Sequence, residues 1–324
     1  MKLRFFVGLA GLAGIFANLN GCGGSSPTPV GPNPTPTATP APTPDFALIM
    51  AAGDISCDSA TPSLPCKAKE TSDLMLEARD QNPTSIVLPL GDLQYENGTL
   101  TEFNASYERT WGRLNENSHP VPGNHEYQTR SAQGYFDYFQ VKGVSTGTSR
   151  LEGWYAYDFA GWRFYALNSN CDSVGGCQSG SAQYRWLQSD LAANRKTCMV
   201  AYMHYPLFSA GTSGNNPTLQ PLMSLLYTAG VDIVLAGHDH DYERFAPMTD
   251  AGVSDPQRGF RLFVVGTGGR DQTPFVRAPH PLSLVRINDH FGILKIEFKS
   301  ASYRWKFTDI SGSVIDTDTA TCTP

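Results

Sequence analysis

Beyond residue 45 the chain alternates short, nearly continuous apolar runs with longer mixed stretches, a pattern expected of strands buried on both faces and separated by helices. It predicts strands over 46–52, 85–90, 154–159, 162–168, 197–204 and 232–236, and helices over 67–79, 99–114, 181–194 and 217–229. Past residue 236 only strands are predicted, over 261–265, 292–298 and 303–310. Neither an internal repeat nor a second linker interrupts the series. The expected fold is therefore α/β, two stacked mixed β-sheets flanked by helices, in a single domain over 45–324.

The first 44 residues follow a different pattern. Lys2 and Arg4 precede a run of Phe, Val, Leu, Ala, Gly and Ile from 5 to 19, the charged start and apolar middle of a secretory signal. The run is short and interrupted for a membrane span. It ends in Leu19-Asn20-Gly21-Cys22, which resembles a bacterial lipobox, so residues 1–21 are expected to be a lipoprotein signal and Cys22 the lipidated new N-terminus. Residues 27–44 hold eight of the 23 prolines, with Thr and Ala between them and no charge. Such a composition cannot build a core, and 22–44 reads as an extended tether. The implied location is the bacterial cell envelope, exported and held to a membrane through the N-terminal lipid alone.

Composition adds two constraints. With the first 44 residues set aside, 22 basic and 30 acidic groups leave a net charge of −8, which argues against a nucleic-acid partner. Without Cys22 there are six cysteines, Cys57, Cys66, Cys171, Cys177, Cys198 and Cys322, an even number suited to an oxidising compartment. Sequence alone permits 15 pairings of six cysteines. Close spacing favours Cys57 with Cys66 and Cys171 with Cys177, leaving Cys198 to pair with Cys322.

The chemistry lies at the ends of the predicted strands. Gly53-Asp54 follows the first, Gly91-Asp92 the second, His204 closes another, and Gly237-His238-Asp239-His240 follows the strand at 232–236. A fifth segment supplies Gly123-Asn124-His125-Glu126. In an open α/β sheet, groups beyond the carboxyl ends of the strands meet in one crevice. Carboxylates, an amide oxygen and imidazoles together suit hard or borderline metal ions. His238 and His240 are two residues apart, so in extended backbone they face opposite ways and could serve two ions, with Asp92 bridging.

Five ordered segments, Gly53-Asp54, Gly91-Asp92-x-x-Tyr95, Gly123-Asn124-His125-Glu126, His204 and Gly237-His238-x-His240-x-Tyr242-Glu243-Arg244, resemble the motifs of the calcineurin-like metallophosphoesterases, and specifically of the purple acid phosphatase branch. The resemblance runs from about 46 to 318 and implies an αββα sandwich. It further implies one metal held by Asp54, Asp92, Tyr95 and His240, and a second held by Asp92, Asn124, His204 and His238. Ferric iron is implied in the first site, with Fe(II), Zn(II) or Mn(II) in the second. The implied reaction is hydrolysis of a small-molecule phosphate monoester by a metal-activated hydroxide, with His125 protonating the leaving group.

The sequence departs from the family at two points. Ser56 stands where the branch usually has Gly, and the segment after His204 lacks a further His that many members carry there. Glu243 and Arg244 read equally as substrate contacts or as a structural ion pair beneath the site. His119, His280 and His290 have no motif around them, and Tyr135, Phe136, Tyr138 and Phe139 are expected to pack in the interior. Two alternatives accompany the monoesterase reading: a phosphodiesterase or nucleotidase on the same scaffold, and a surface binding protein without turnover. The second predicts a missing metal ligand, and none of the seven is missing.

Overall fold

A computed structural model describes residues 46–57, 66–147, 149 and 152–323. The predicted signal, Cys22 and the Pro/Thr tether lie outside the described residues. The chain runs β1 (Ala47–Ala52), α1 (Ala68–Gln81), β2 (Ile86–Pro89), α2 (Leu100–Ala105), α3 (Gln133–Lys142), β3 (Tyr155–Phe159), β4 (Trp162–Ala166) and α4 (Ala182–Ala193). It continues with β5 (Met199–Tyr202), α5 (Gln220–Ala229), β6 (Ile233–Ala236), β7 (Tyr242–Phe245), β8 (Arg261–Val265), β9 (Ser283–Ile287), β10 (Gly292–Phe298), β11 (Ser302–Asp309) and β12 (Val314–Thr321).

The strands form two mixed sheets, one of five strands in the order β12-β11-β10-β1-β2 and one of seven in the order β3-β4-β5-β6-β8-β7-β9. In the first sheet β1 is parallel to β2 and antiparallel to β10; in the second, β4, β5, β6 and β8 run parallel. Alternation along β5 shows why its sequence is apolar throughout. Val200 and Tyr202 join the core that includes the first sheet, while Met199, Ala201 and Met203 join a second core with Leu187 of α4 and Leu222 and Leu226 of α5. Aromatic side chains carry the contact between sheets: Trp162 meets Phe298 at 4.3 Å between ring centres, and Tyr242 stacks on Phe307 at 4.2 Å. Burying each such ring stabilises the fold by roughly 2–3 kcal/mol relative to exposing it.

Several elements differ from the sequence expectation. The helix expected over 99–114 stops at Ala105 and continues as two short 3-10 segments, Tyr107–Arg109 and Trp111–Asn117. Its start is well specified, with Thr99 and Glu102 forming a reciprocal capping box. At the break a side chain takes a helix amide, Tyr107 N donating to Gln94 Oε1 at 3.0 Å, while the Ser106 hydroxyl anchors the turn on Cys57 O at 2.8 Å. The pattern reading did not assign α3, β7, β9 or β12. Two left-handed residues, Ser131 and Ala132, lead into α3 in place of a capping residue. Its Tyr135, Phe136, Tyr138 and Phe139 are buried, in the same core as Phe103 and Tyr107. β12 is an exposed edge strand, Val-Ile-Asp-Thr-Asp-Thr-Ala-Thr, with Asp316 as its buried position.

All three favoured cysteine pairs form: Cys57–Cys66, Cys171–Cys177 and Cys198–Cys322. The last spans 124 residues and ties the C-terminal strand to the start of β5. Glu243 and Arg244 do not pair with each other. Glu243 accepts from Ala210 N and Ser283 Oγ, whereas Arg244 reaches Asp316 with Nε at 2.6 Å and Nη2 at 3.0 Å. Tyr242 Oη and Trp305 Nε1 also donate to Asp316, so one buried carboxylate on β12 joins β7 and β11 across the two sheets.

Burial works against the Asp316 charge, but the Arg244 guanidinium and the Tyr242 hydroxyl hold its carboxyl below the usual range. Asp316→Ala should lower the urea-unfolding free energy by about 3 kcal/mol, because it strands a buried guanidinium. A depressed native titration stabilises the fold above the ordinary carboxylate range, and that contribution fades as pH falls through the native value. The gap between wild type and Asp316→Ala should therefore narrow in acid; a gap that is constant from neutral to strongly acidic pH would contradict this assignment.

Candidate metal centre

Five backbone segments leave the sheets at one rim and turn their polar side chains to a common point. Asp54 follows β1, Asp92 and Tyr95 follow β2, His204 follows β5, and His238 and His240 follow β6. Asn124 and His125 arrive on a segment bridged to the end of β2 by Leu90 and Val121. Asp54, Asp92 and His238 all have positive φ, 60°, 47° and 76°, a conformation that L-residues adopt at a cost and that clusters at functional sites. Gly123 leaves room for the approach: a Cβ there would lie 2.1 Å from Asp92 Oδ1.

The donors form two overlapping sets. Tyr95 Oη lies 2.8 Å from Asp54 Oδ1, 3.1 Å from Asp92 Oδ2 and 3.1 Å from His240 Nε2, and His240 Nε2 is 3.3 Å from Asp54 Oδ1. On the other side His204 Nε2 lies 3.4 Å from Asp92 Oδ2, 3.0 Å from Asn124 Oδ1 and 3.2 Å from His238 Nδ1. Ligand atoms of Asp92, His204 and His238 lie within 4.8 Å of one another. Asp92 belongs to both sets, and all seven residues predicted as ligands meet here. His238 and His240 do face different sets, but His238 is left-handed and not extended, so the turn separates them in place of strand alternation.

The surrounding bonds orient these donors. His204 Nδ1 is 2.9 Å from Leu90 O, so this nitrogen carries the hydrogen and Nε2 turns its lone pair inward. His240 Nδ1 contacts Asp271 Oδ1 in the same way. Glu126 is fully buried and accepts the N–H groups of Asp92, Leu93, Gln94 and Gly123 at 2.7 to 3.2 Å, clamping the loop that carries Asp92. The Asp239 carboxylate accepts from Ser209 Oγ, Ser213 N and Gly214 N, fixing the 209–214 loop beside His238 and His240.

Electrostatics explain why these acids and imidazoles need each other. Burial disfavours charge on His204, but the Asp92 carboxylate outweighs it and pushes the imidazole up to about 9. Burial likewise opposes His240, yet Asp54 and Asp271 push it up to about 10. At His238 the balance falls the other way: burial and the neighbouring His204 outweigh Asp54, Asp92 and Asp239 and push it down to about 4, keeping it neutral. Burial and then Asp54 and Asp92 push the Tyr95 phenol well above its ordinary value. Glu126 rises to about 8 through burial and the nearby Asp92 charge, against the pull of its amide donors. A cation at the cluster would offset the acids directly and reverse the balance at Tyr95. The donor chemistry fits such ions: carboxylates and a phenol on one side, an amide oxygen and two imidazoles on the other.

His125 sits at the rim, its N–H donating to Asp92 Oδ1 at 2.8 Å and its Nδ1 against Glu96 O. Its Nε2 lies 3.8 Å from Asp92 Oδ2. Ser56 turns its hydroxyl to Thr110, 3.2 Å away. The remaining histidines lie elsewhere: His119 stacks on Tyr157, His280 neighbours Phe208, and His290 pairs with Asp289. Asp271 and Tyr205 were missed by sequence reasoning. Asp271 follows Gly268-Gly269-Arg270 with no metal-ligand spacing to betray it, and Tyr205 reads simply as the residue after His204.

Residues 44–242 match the calcineurin-like phosphoesterase family. The chain is similar to purple acid phosphatase 22 of Arabidopsis thaliana, 30% identical over 270 residues, covering 76% of this chain and 59% of that protein. It is also similar to mouse (Mus musculus) acid phosphatase type 7, 26% identical over 277 residues, covering 74% of this chain and 58% of the relative. The chain thus spans somewhat over half the length of these relatives. Among solved structures, the purple acid phosphatase PPD1 from yellow lupin (Lupinus luteus) seeds superposes with a TM-score of 0.73 at 19% identity, over 86% of this chain and 54% of that one. This last likeness is one of fold.

Removing an orienting partner should weaken metal binding without removing a ligand. Asp271→Asn and Glu126→Gln should each lower metal affinity about 10- to 100-fold. Metal content retained against a graded chelator series would check this; wild-type retention in both variants would show that these contacts do not orient the site.

Proposed function

The chain belongs to the calcineurin-like phosphoesterase family, and we propose that it is a metal-dependent phosphomonoesterase of the purple acid phosphatase kind. The observation that carries the reading is the position of Tyr95 Oη, within 3.1 Å of Asp54, Asp92 and His240 at once. Two carboxylates, a phenol and one imidazole favour a hard trivalent ion, Fe(III), held by Asp54, Asp92, Tyr95 and His240. Asp92, Asn124, His204 and His238 form a softer set suited to Fe(II), Zn(II) or Mn(II). When bound, the two cations supply Lewis acidity, drawing charge from phosphate oxygens and lowering the pKa of water.

The protein's own groups supply orientation and proton transfer. Leu90 O and the Asp271 carboxylate fix the tautomers of His204 and His240, so both rings present Nε2 to the centre. Glu126 fixes the backbone from Asp92 to Gln94, so the shared carboxylate does not move as charge develops. His125 is tethered at Nδ1 by Glu96 O, leaving Nε2 as the atom that can give a proton to a departing alkoxide at the rim. The side chain is 25% exposed, so it can exchange that proton with solvent.

We extend the proposal to the organisation of the whole chain, with 1–21 a lipoprotein signal, 22–44 a lipidated Cys and tether, and 45–324 a catalytic domain in the cell envelope. The lipobox-like Leu19-Asn20-Gly21-Cys22 and the uncharged Pro/Thr run support it.

Three experiments test these readings. Purified protein should show a tyrosinate-to-iron charge-transfer band that Tyr95→Phe abolishes, and should hydrolyse p-nitrophenyl phosphate in preference to its bis ester. His125→Ala should lower kcat about 100-fold or more on alkyl phosphates, and less on p-nitrophenyl phosphate, whose leaving group needs little protonation, with metal content unchanged. Unchanged turnover of alkyl phosphates in that variant would remove His125 from the proton-transfer role. Separately, Cys22→Ser should move the protein from the membrane fraction to the soluble one; retention at the membrane would exclude the lipid anchor.

A further inference from the structure

A cavity of about 330 Å³ opens directly beside the cluster, with Asn124 in its wall. Its other walls include the Tyr127 and Tyr205 side chains, Asn170, Asn216 and Asp172. The Tyr205 ring lies 4.1 Å from His238 and 5.2 Å from His204 between ring centres, so this wall continues straight from the second donor set. An ester whose phosphate rests on the cluster has this space available for its alcohol. The volume suits a small alcohol, at the lower end of ligand pockets.

The pocket is held in shape before anything binds. The Cys171–Cys177 bridge closes the loop that carries Asp172, and Asn170 Nδ2 donates to Pro122 O at 3.0 Å, tying that loop to the segment that carries Asn124. Asn168 Nδ2 reaches the Tyr127 hydroxyl at 2.7 Å, fixing the opposite wall. A preformed wall spends little ordering entropy on binding.

Charge decides what it accepts. The lining contains one carboxylate, Asp172, and among the described residues no Lys, Arg or His. An alcohol bearing a second phosphate or a carboxylate would meet Asp172 with no cationic side chain in the lining to offset it. An ammonium group would meet a carboxylate and two tyrosine rings, the combination that attracts organic cations. We propose that this cavity is the leaving-group pocket and that it selects phosphomonoesters of cationic amino alcohols over those of anionic ones, an inference that rests on the phosphatase reading above.

The test compares kcat/KM for O-phosphoethanolamine, glycerol 2-phosphate and 3-phosphoglycerate in the metal-loaded wild-type protein, Asp172→Asn and Asp172→Lys. In wild type the order should be cationic over neutral over anionic, each step about fivefold, the scale of one solvent-exposed charge contact. Asp172→Asn should bring the cationic and neutral esters together, and Asp172→Lys should reverse the order. The wild-type preference should shrink as ionic strength rises from about 0.05 to about 0.5 M. Because Asp172 is exposed, both variants should keep the wild-type melting temperature, which separates a charge effect from a folding effect. The same substrate ratios in all three proteins, with p-nitrophenyl phosphate turned over by wild type, would overturn the pocket and leave the phosphatase reading standing. A metal-loaded wild type that turns over none of the four esters would overturn both.

Discussion

Asp54 and Asp92 are two carboxylates buried at one point, 0% and 2% exposed, and the rest of the site answers to their cost. Removing an unpaired carboxylate from water costs several kcal/mol even after the surroundings relax. Here the offsets come from every direction: backbone N–H groups from His238 and His125, imidazoles from His204 and His240, and the Tyr95 hydroxyl. None of these partners is near in sequence to all the others. The cluster holds together only if two sheets, five loops and a left-handed turn at each acid are all in place. That explains why the fold is organised around strand ends rather than around a local motif, and why positive-φ backbone persists at Asp54, Asp92 and His238.

Much of this was readable from the sequence because burial on both faces leaves a plain mark. Runs such as Ile-Val-Leu-Ala in β6 have no polar position to spare, and the residue following each run is where a side chain can leave the sheet. Six of the seven predicted ligand positions were marked in this way, by Gly-Asp, Asn-His, His204 and His-x-His at or near strand ends, whereas Tyr95 came only with the family resemblance. Elements that do not rely on an apolar face left no comparable mark. β12 is polar at five of its eight positions, exposes Val314 and Ile315, and is held by β11 and by Asp316, so its strand character comes from pairing. α2 ended early because Gln94, brought in from the loop after β2, took the Tyr107 amide that a longer helix needed. Asp271 carries the same lesson into the site: its role is defined by contact with His240, and contact between residues 31 apart is not written in spacing.

Two kinds of residue surround the cluster, and they answer to different demands. Glu126, Asp239 and Asp271 spend their carboxylates inward, holding amides, a hydroxyl and an imidazole, which makes the metal donors rigid. Asp172 and Tyr205 face a cavity instead, Asp172 exposed and Tyr205 resting on His204 and His238. The first group is dictated by the ions that the donors suit, whatever ester is cleaved. On the proposed phosphatase reading the second is free to differ, which would place substrate choice on a disulfide-closed loop and one aromatic wall while the chemistry beneath stays fixed.

The pairing of β1 has a consequence for how the molecule is made. β1 lies between β2 and β10, with Ala47 opposite Phe298, so the first strand to emerge waits for one of the last before its sheet is complete. All seven donor residues are synthesised by residue 240, inside the segment that matches the family, 44–242. At that stage the chain carries every ligand but lacks β10, β11 and β12, which complete the first sheet, and the Asp316 carboxylate that joins that sheet to the second. The sequence signature and the folding unit are thus different lengths of chain. A fragment cut at the signature's boundary would keep the seven donors and lose the frame that brings them together, so any ion these donors bind would have to follow the last strand.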